Sequence, residues 1–174
     1  PLAEIAAEIG RAVAAGYKEI AITGVHLGSY GRDLAEPSSL TTLVRLLAGW
    51  RDDVLFRISS LEPMDCTPEI VGLVAASPRL APHFHLPLQH GADAVLRAMR
   101  RPYSVARYED LVQSIRGAMP YASIGSDVIV GFPGEDASHH ADACAALERL
   151  PLTHLHVFPY SDRPGTEAAA MPGK

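Results

Sequence analysis

The stretch HFHLPLQHG at residues 83–91 decides the fold, because it joins a buried strand to a polar loop that contains glycine. Side chains alternate between the two faces of a strand, so His83, His85 and Gln89 share one face. The residues of the apolar face are Phe84, Leu86 and Leu88. An apolar face packs on helices, so we expect the histidine face to line the interior of a barrel.

Four further segments have the character of buried strands, and segments of helical period alternate with them. The predicted strands are His83–Gln89 together with Glu19–Gly24, Val54–Ser60, Ile124–Phe132 and Thr153–Tyr160. This alternation predicts βα units and a parallel sheet. In a TIM-like barrel, as in a doubly wound sheet, ligands bind at the carboxyl ends of the strands. Every predicted strand runs into a polar loop, which indicates a ligand-binding rim.

Apolar residues repeat at helical spacing in the segments between those strands. The stripes are Leu2, Ile5, Ile9 and Val13; Leu40, Leu43, Val44 and Leu47; Tyr108, Leu111, Val112, Ile115 and Met119; and Ala143, Cys144, Leu147 and Leu150. We therefore expect Cys144 in the core. Thr67 followed by Pro68, and Ser104, are predicted N-caps, and Gly16 is predicted just past the end of the first helix. Because a helix comes first, we expect the strand before it to be missing and the first visible strand to have an unpaired edge.

Composition narrows the class of protein. A chain of 174 residues with 48% hydrophobic and 20% charged residues is typical of one globular domain rather than of a disordered segment. The net charge of −5 with scattered Lys and Arg argues against this segment being a main nucleic-acid-binding surface, and we expect no DNA partner. No apolar run is long enough for a bilayer and no signal peptide is recognisable, so we expect no membrane partner. The two cysteines suit a reducing cytoplasm, and the start at Pro1 indicates a piece of a longer protein.

Several residues near the predicted strand ends could carry chemistry. The His-x-His pairs at 83/85 and 154/156 could be metal ligands, or they could be interior polar residues that hydrogen-bond to one another or to a ligand. Asp127 alternates with Val128, so we expect it to face the interior as a ligand anchor or a structural acceptor. The loop 24–31 lacks the GK[ST] of a phosphate-binding loop. Its glycines would instead let the backbone approach a ligand or adopt positive φ.

The remaining polar residues differ in the functional support that the sequence gives them. Glu62 follows a strand and should face the mouth of a barrel. Ser59 and Ser60 lack a nucleophile elbow, and nothing in the sequence places a base near them. Cys66 and Cys144 lie far apart in sequence, so this chain by itself predicts neither a zinc site nor an iron–sulfur site. The residues thus predict an α/β barrel that binds a polar small molecule.

A set of motifs extends this interpretation. The stretches TGVHLGSYGRD (23–33), RISSLEP (57–63), HFHLPLQHGADAVLRAMRRPYS (83–104), SDVIVGFPGE (126–135) and FPYSDRPGTEA (158–168) resemble the methylthiotransferase branch of the radical S-adenosylmethionine enzymes. The resemblance covers essentially the whole chain. TGVHLGSYG together with SSLEP is most similar to the tRNA N6-threonylcarbamoyladenosine methylthiotransferases. The related isopentenyladenosine and ribosomal-protein enzymes usually carry different residues at these two places.

The resemblance implies an α/β fold, a partial TIM-like (β/α) radical SAM barrel over residues 1–174, with S-adenosylmethionine in its lumen. In the family, one 4Fe–4S cluster cleaves this cofactor to a radical that abstracts hydrogen from adenine C2, and a second cluster delivers sulfur. The implied partners are a tRNA substrate and an electron donor. By their positions in the motifs, the implied cofactor-binding residues are Gly24, Ser60, Glu62, Gln89, Ile129 and Gly131.

The chain departs from the family in what it lacks. The CxxxCxxC motif, the N-terminal cluster domain and the C-terminal RNA-binding domain are not in it. The resemblance therefore implies no catalytic residue and no metal ligand in this chain, and no activity of the chain alone. The superfamily pattern GxIxGxxE is loosely met, because Asp127 replaces the first glycine and Glu135 falls one place late. The alternatives are a sister methylthiotransferase that acts on isopentenyladenosine or on a ribosomal protein, and a noncatalytic or metabolite-binding α/β barrel.

Overall fold

Strands and helices alternate along the chain in a computed structural model that describes residues 1–174. The strands are β1 (Glu19–Ile22), β2 (Leu55–Ile58), β3 (His83–His85), β4 (Ser123–Val130) and β5 (His154–Pro159). The helices are α1 (Leu2–Ala14), α2 (Leu40–Ala48), α3 (Pro68–Ala76), α4 (Asp93–Ala98), α5 (Val105–Ala118) and α6 (Ala137–Arg149). None of these helices has both the length and the apolar character that crossing a bilayer requires.

All strand pairs are parallel, as the sequence predicts. They form the sheets β1–β2 and β3–β4–β5. The two sheets meet just beyond β2 and β3, where the backbone amide of Leu61 donates to the carbonyl of His85 at 2.9 Å. β1 pairs with β2 alone and β5 with β4 alone, so each has one free edge. The strands consequently bring their carboxyl ends to one rim, which confirms the predicted partial TIM-like barrel.

The regular part of β3 is shorter than predicted because of its own sequence. Pro87 has no amide hydrogen, and the amide of Leu88 donates to the Ser126 hydroxyl at 3.0 Å instead of to a strand carbonyl. The chain rejoins β4 at Gln89, whose amide donates to the carbonyl of Asp127 and whose carbonyl accepts from the amide of Ile129, both at 2.8 Å. Gln89 adopts φ 72°, a left-handed conformation that is unfavourable for a residue with a side chain. This strained turn fixes Gln89 beside β4.

Helices α2, α3 and α5 contribute most of the core on the outer side of the strands. The main core cluster contains 27 buried residues, among which Phe56 and Tyr108 are the largest that are fully buried. The predicted stripe of α2 is buried throughout. The hydroxyl of Tyr108 donates to the carbonyl of Leu86 at 2.8 Å, and that of Tyr103 to the carbonyl of Pro87 at 3.0 Å. The helix layer thus supports the irregular segment that carries Gln89.

The predicted helix starts are confirmed, but one predicted core residue is wrong. The side chains of Thr67 and Ser104 accept hydrogen bonds from the amides three residues later. Cys144, expected in the core, is exposed. α6 buries Ala143 instead, because the backbone of Ala143 packs directly against Gly91. A Cβ atom on residue 91 would lie 2.6 Å from Ala143 Cα. The next residue is rotated by about 100° around the helix and therefore faces solvent.

Candidate functional site

A cavity of about 600 Å³ opens at the carboxyl ends of the strands. Gln89, Asp127 and Ile129 line it from the strand side, and Phe132 and Phe158 add aromatic walls. Its volume lies within the range of about 300–1,000 Å³ that is typical of small-molecule sites. The rim predicted from the sequence is therefore a real pocket with both polar and aromatic walls.

The segment that follows β5 forms the remaining wall of this cavity. It contributes Tyr160, Ser161, Arg163, Thr166 and Ala168. The ring of Tyr160 meets Phe132 edge-on with centroids 5.5 Å apart, and the carbonyl of Gly173 accepts from the amide of Gly134 at 3.0 Å. The sequence predicted the loop after β5 as one of the polar loops of a ligand-binding rim, and this segment does line the cavity. Tertiary contacts with the turn after β4 hold it beside the strand ends.

A smaller cavity of about 240 Å³ adjoins the first and shares Gln89, Ile129 and Phe132 with it. Its other wall includes Arg100 and Arg101. The guanidinium of Arg101 lies 3.2 Å from Glu62 Oε2, and both side chains are partly buried. Glu62, predicted to face the mouth, thus reaches this cavity through its ion pair with Arg101.

The structure brings some of the predicted cofactor residues together and leaves others apart. Gln89 and Ile129 line both cavities. Ser60 and Glu62 follow β2 and contact residues of the rim, namely His85 and Arg101. Gly131 directly follows β4 with φ 75°. Gly24 lies in the loop after β1 and lines neither cavity.

The glycines of the loop after β1 serve its own packing. Gly31 has φ 84°, which agrees with the expectation that glycines of this loop adopt positive φ. Gly28 lies so close to Asp65 that a Cβ would come within 1.9 Å of its carboxylate. The same carboxylate lies 3.0 Å from His26 Nε2, so the loop is fastened to the segment after β2. The close approach that the sequence suggested is therefore an approach to Asp65.

The interior face holds a connected set of polar side chains. Asp127 Oδ1 lies 3.0 Å from His85 Nε2 and 3.0 Å from His156 Nδ1. The outer ring nitrogen of His85, Nδ1, lies 2.7 Å from the Ser60 hydroxyl oxygen. Nothing in the sequence placed a base near Ser60, and the structure supplies one, because the neighbouring strand carries His85. The predicted interior orientation of Asp127 and of the histidines is confirmed.

Two further histidines, His83 and His154, lie on this face at the first residues of β3 and β5. Burial lowers the pKa of His83, and Arg57 adds to the effect, so this histidine favours its neutral form. The His83 and His154 rings stack with centroids 6.3 Å apart. His154 Nε2 lies where a Cβ on Gly125 would be, at 2.0 Å, so a side chain at position 125 would displace it. The interior therefore combines stacked imidazole rings with one carboxylate.

Glu135 organises the turn that follows β4. Burial opposes ionisation of this carboxyl group, but His90 and the amides of Gly131 and Phe132 outweigh that effect and hold its pKa below the ordinary value. Those amides donate to Glu135 Oε2 at 2.6 and 3.2 Å. His90 Nε2 lies 3.3 Å from Oε1 without the direction of a hydrogen bond, so we treat that contact as electrostatic. Glu135 therefore shapes the cavity wall rather than facing a ligand.

The cysteines do not suit an iron–sulfur cluster. Cys66 is buried in the core, and burial raises the pKa of its thiol to about 12. Cys144 is exposed on α6, on a different element. A 4Fe–4S cluster needs several thiolates around one point. Two cysteines in such different environments do not provide them, so the residues of this chain do not fit that group.

Comparisons with known proteins agree with this geometry. The sequence model described as the radical SAM superfamily matches residues 1–147. A threonylcarbamoyladenosine tRNA methylthiotransferase of Thermotoga maritima is 39% identical over 99% of this chain, and a tRNA-2-methylthio-N6-dimethylallyladenosine synthase of a Parafrankia species is 39% identical over 98%. The chain spans 39% and 34% of the lengths of these two relatives.

Solved structures support the fold independently of sequence. The cobalamin-dependent radical enzyme OxsB superposes with a TM-score of 0.66 over 97% of this chain and 24% of its own, at 10% identity. Coproporphyrinogen III oxidase of Escherichia coli superposes with a TM-score of 0.58 over 75% of this chain and 30% of its own, at 20% identity. At such identities the likeness concerns the fold. With the family match over most of its length and the rim geometry described above, the chain belongs to the radical SAM superfamily.

Proposed function

We propose that the protein to which this chain belongs is a tRNA methylthiotransferase that binds S-adenosylmethionine in the cavity of about 600 Å³. The observation that carries the proposal is the meeting of Gln89, Asp127 and Ile129 in that one cavity. The relatives that are 39% identical are named for methylthiolation of tRNA adenosines. S-adenosylmethionine bound there would supply a carbon-centred radical on reductive cleavage by an iron–sulfur cluster, for which the two cysteines of this chain are not ligands. The low cysteine content suits action in the cytoplasm.

The chain's own residues contribute orientation and exclusion of water. Gln89 presents an amide that can donate to and accept from a nucleoside, and its strained turn limits its freedom to move away. Ile129, Phe132 and Phe158 offer apolar surface for the faces of an adenine ring. Radical chemistry requires a site from which water is kept away, and this aromatic lining serves that need. Ser60 holds His85 and thereby keeps Asp127 at the inner wall.

Among tRNA adenosines we propose N6-threonylcarbamoyladenosine as the substrate. Its N6 substituent carries a carboxylate, a hydroxyl and a urea, whereas a dimethylallyl group is a hydrocarbon. The smaller cavity beside Gln89 has Arg100, Arg101 and Glu167 in its wall. Arg100 pairs with Glu167 and Arg101 pairs with Glu62, so a substrate carboxylate would compete with these two carboxylates for the guanidinium groups. Arginine is well suited to hold a carboxylate. A charged wall therefore favours the polar substituent over the apolar one, in agreement with the TGVHLGSYG and SSLEP motifs.

The test uses the complete parent protein in a bacterial strain that lacks its own tRNA methylthiotransferases. Transfer RNA is isolated, digested to nucleosides and examined by mass spectrometry for methylthio derivatives. We expect 2-methylthio-N6-threonylcarbamoyladenosine with the wild type and loss of at least about 90% of it with Arg101→Leu. Lys18→Leu, an exposed cation ahead of β1, is the control and should leave the product unchanged.

Three outcomes would correct the proposal at different levels. The methylthio derivative of dimethylallyladenosine would keep the enzyme class and overturn the substrate, as the equally similar Parafrankia relative suggests. Absence of both products from a protein with assembled clusters would overturn the enzyme class. Methylthiolation of a ribosomal protein instead would identify the sister activity.

A further inference from the structure

We propose that His85, Asp127 and His156 form a binding site for one divalent transition-metal ion on the inner wall of the barrel. The possible ligand atoms of these three side chains all lie within 4.8 Å of one another. They come from three neighbouring strands, β3, β4 and β5, so the sheet itself sets their spacing. The site uses no cysteine.

The donor set is the kind that such ions prefer. Two imidazoles and one carboxylate bind zinc in hydrolases and iron in non-haem oxygenases. Ligand atoms at about 2.1 Å from one ion lie about 3.0 Å apart at adjacent octahedral positions and about 3.4 Å apart in a tetrahedron. Both His–Asp separations are 3.0 Å. An ion could therefore be accommodated by small rotations of the side chains.

A second observation concerns the outer nitrogen of His85. Metal-binding histidines almost always hydrogen-bond through the ring nitrogen that does not touch the metal. His85 Nδ1 lies 2.7 Å from Ser60 Oγ, which leaves Nε2 directed at Asp127. The ring is thus already held in the orientation that a ligand needs. The Ser60 contact distinguishes this group from a chance cluster of polar side chains.

The site is also accessible from the cavity. Asp127 is one of the residues that line the cavity of about 600 Å³, and the side chain of His156 is 56% exposed. Three protein ligands leave further coordination positions open on that side. An oxygen or nitrogen donor of a bound molecule would complete the coordination, so the ion would add a polar anchor to an otherwise aromatic pocket.

The test measures binding of Co²⁺ and Zn²⁺ to the chelator-treated chain, by the visible absorption of Co²⁺ and by calorimetry. It needs no S-adenosylmethionine, iron–sulfur cluster or tRNA, so its failure would leave the proposed function standing. We expect one ion per chain. Asp127→Asn and His156→Gln should each weaken binding by about a hundredfold or more, and Ser60→Ala by about tenfold, since it removes only the outer partner of His85.

His26→Gln is the matched control. His26 and Asp65 form another His–carboxylate contact at 3.0 Å but have no third ligand, so this variant should bind the ion as the wild type does. Circular dichroism and thermal unfolding of each variant without metal would show whether it is folded. No binding by the wild type, or equal binding by folded Asp127→Asn and His156→Gln, would overturn the proposal. In that case the three side chains form a hydrogen-bonded network without metal.

Discussion

β4 and β5 are neighbours in one sheet, yet they lie in very different surroundings. β4 has buried residues over much of its length, whereas five of the six residues of β5 are exposed. Helices α2, α3 and α5 supply much of the core behind β2, β3 and β4, while both Leu155 and Val157 on the outer side of β5 remain exposed. The helix-backed layer therefore provides the stability and one wall of the cavity, and the β5 side adds the more exposed wall.

The largest expected effect on stability comes from a comparison of two phenylalanines, one in the helix-backed layer and one on β5. Phe56 on β2 is fully buried and meets Trp50 edge-on, whereas Phe158 on β5 is 50% exposed. Phe56→Ala should lower the free energy of unfolding by about 3–5 kcal/mol, because it leaves a cavity in the core. Phe158→Ala should lower it by less than about 1 kcal/mol, since little packing is lost. Urea denaturation followed by circular dichroism measures both, and equal losses would contradict the division.

A smaller effect on the free energy of unfolding is expected at Glu135, in the turn between β4 and α6. Glu135→Gln removes the charge that accepts the Gly131 and Phe132 amides, and should cost about 1.5–3 kcal/mol at neutral pH. The folded-state pKa of Glu135 lies below its ordinary value, so its contribution is present above that value and is lost as pH falls through the folded pKa. The difference between wild type and variant should therefore shrink on acidification.

Glu148→Gln is the control for this prediction. Glu148 is an exposed carboxylate on α6, so its loss should leave the free energy of unfolding unchanged at every pH. Denaturant titrations of the three proteins at several pH values measure the effect. A difference between wild type and Glu135→Gln that stayed constant into acid would show that the charge of Glu135 is not what stabilises the turn.

The smallest expected effect concerns the hydrogen bond that links the helix layer to the cavity. Tyr108→Phe removes the hydroxyl that donates to the Leu86 carbonyl and should cost about 1 kcal/mol. Tyr121→Phe, at a tyrosine that is 98% exposed, should cost nothing measurable. Thermal unfolding compares the pair. Equal stability of the two variants would mean that this contact does not couple the two regions.

The sequence predicted regular elements better than it predicted contacts. Strand alternation placed His85, Asp127 and His156 on the interior face, and the stripe of α2 marked buried residues, because both follow from local periodicity. The same reasoning misplaced Cys144, since the approach of α6 to Gly91 decides which side of that helix is buried. The predicted strand His83–Gln89 extended past the regular end of β3 because it included Pro87, which has no amide hydrogen, and the pairing with β4 shows how the chain continues to Gln89.

By itself, then, the sequence determined the α/β order, the parallel strands and the family motifs, since these depend on residue types and spacings along the chain. The tertiary structure decided the site. The contacts among Ser60, His85, Asp127 and His156 join residues 25, 42 and 29 positions apart. No local pattern encodes such distances, because the register of neighbouring strands sets them.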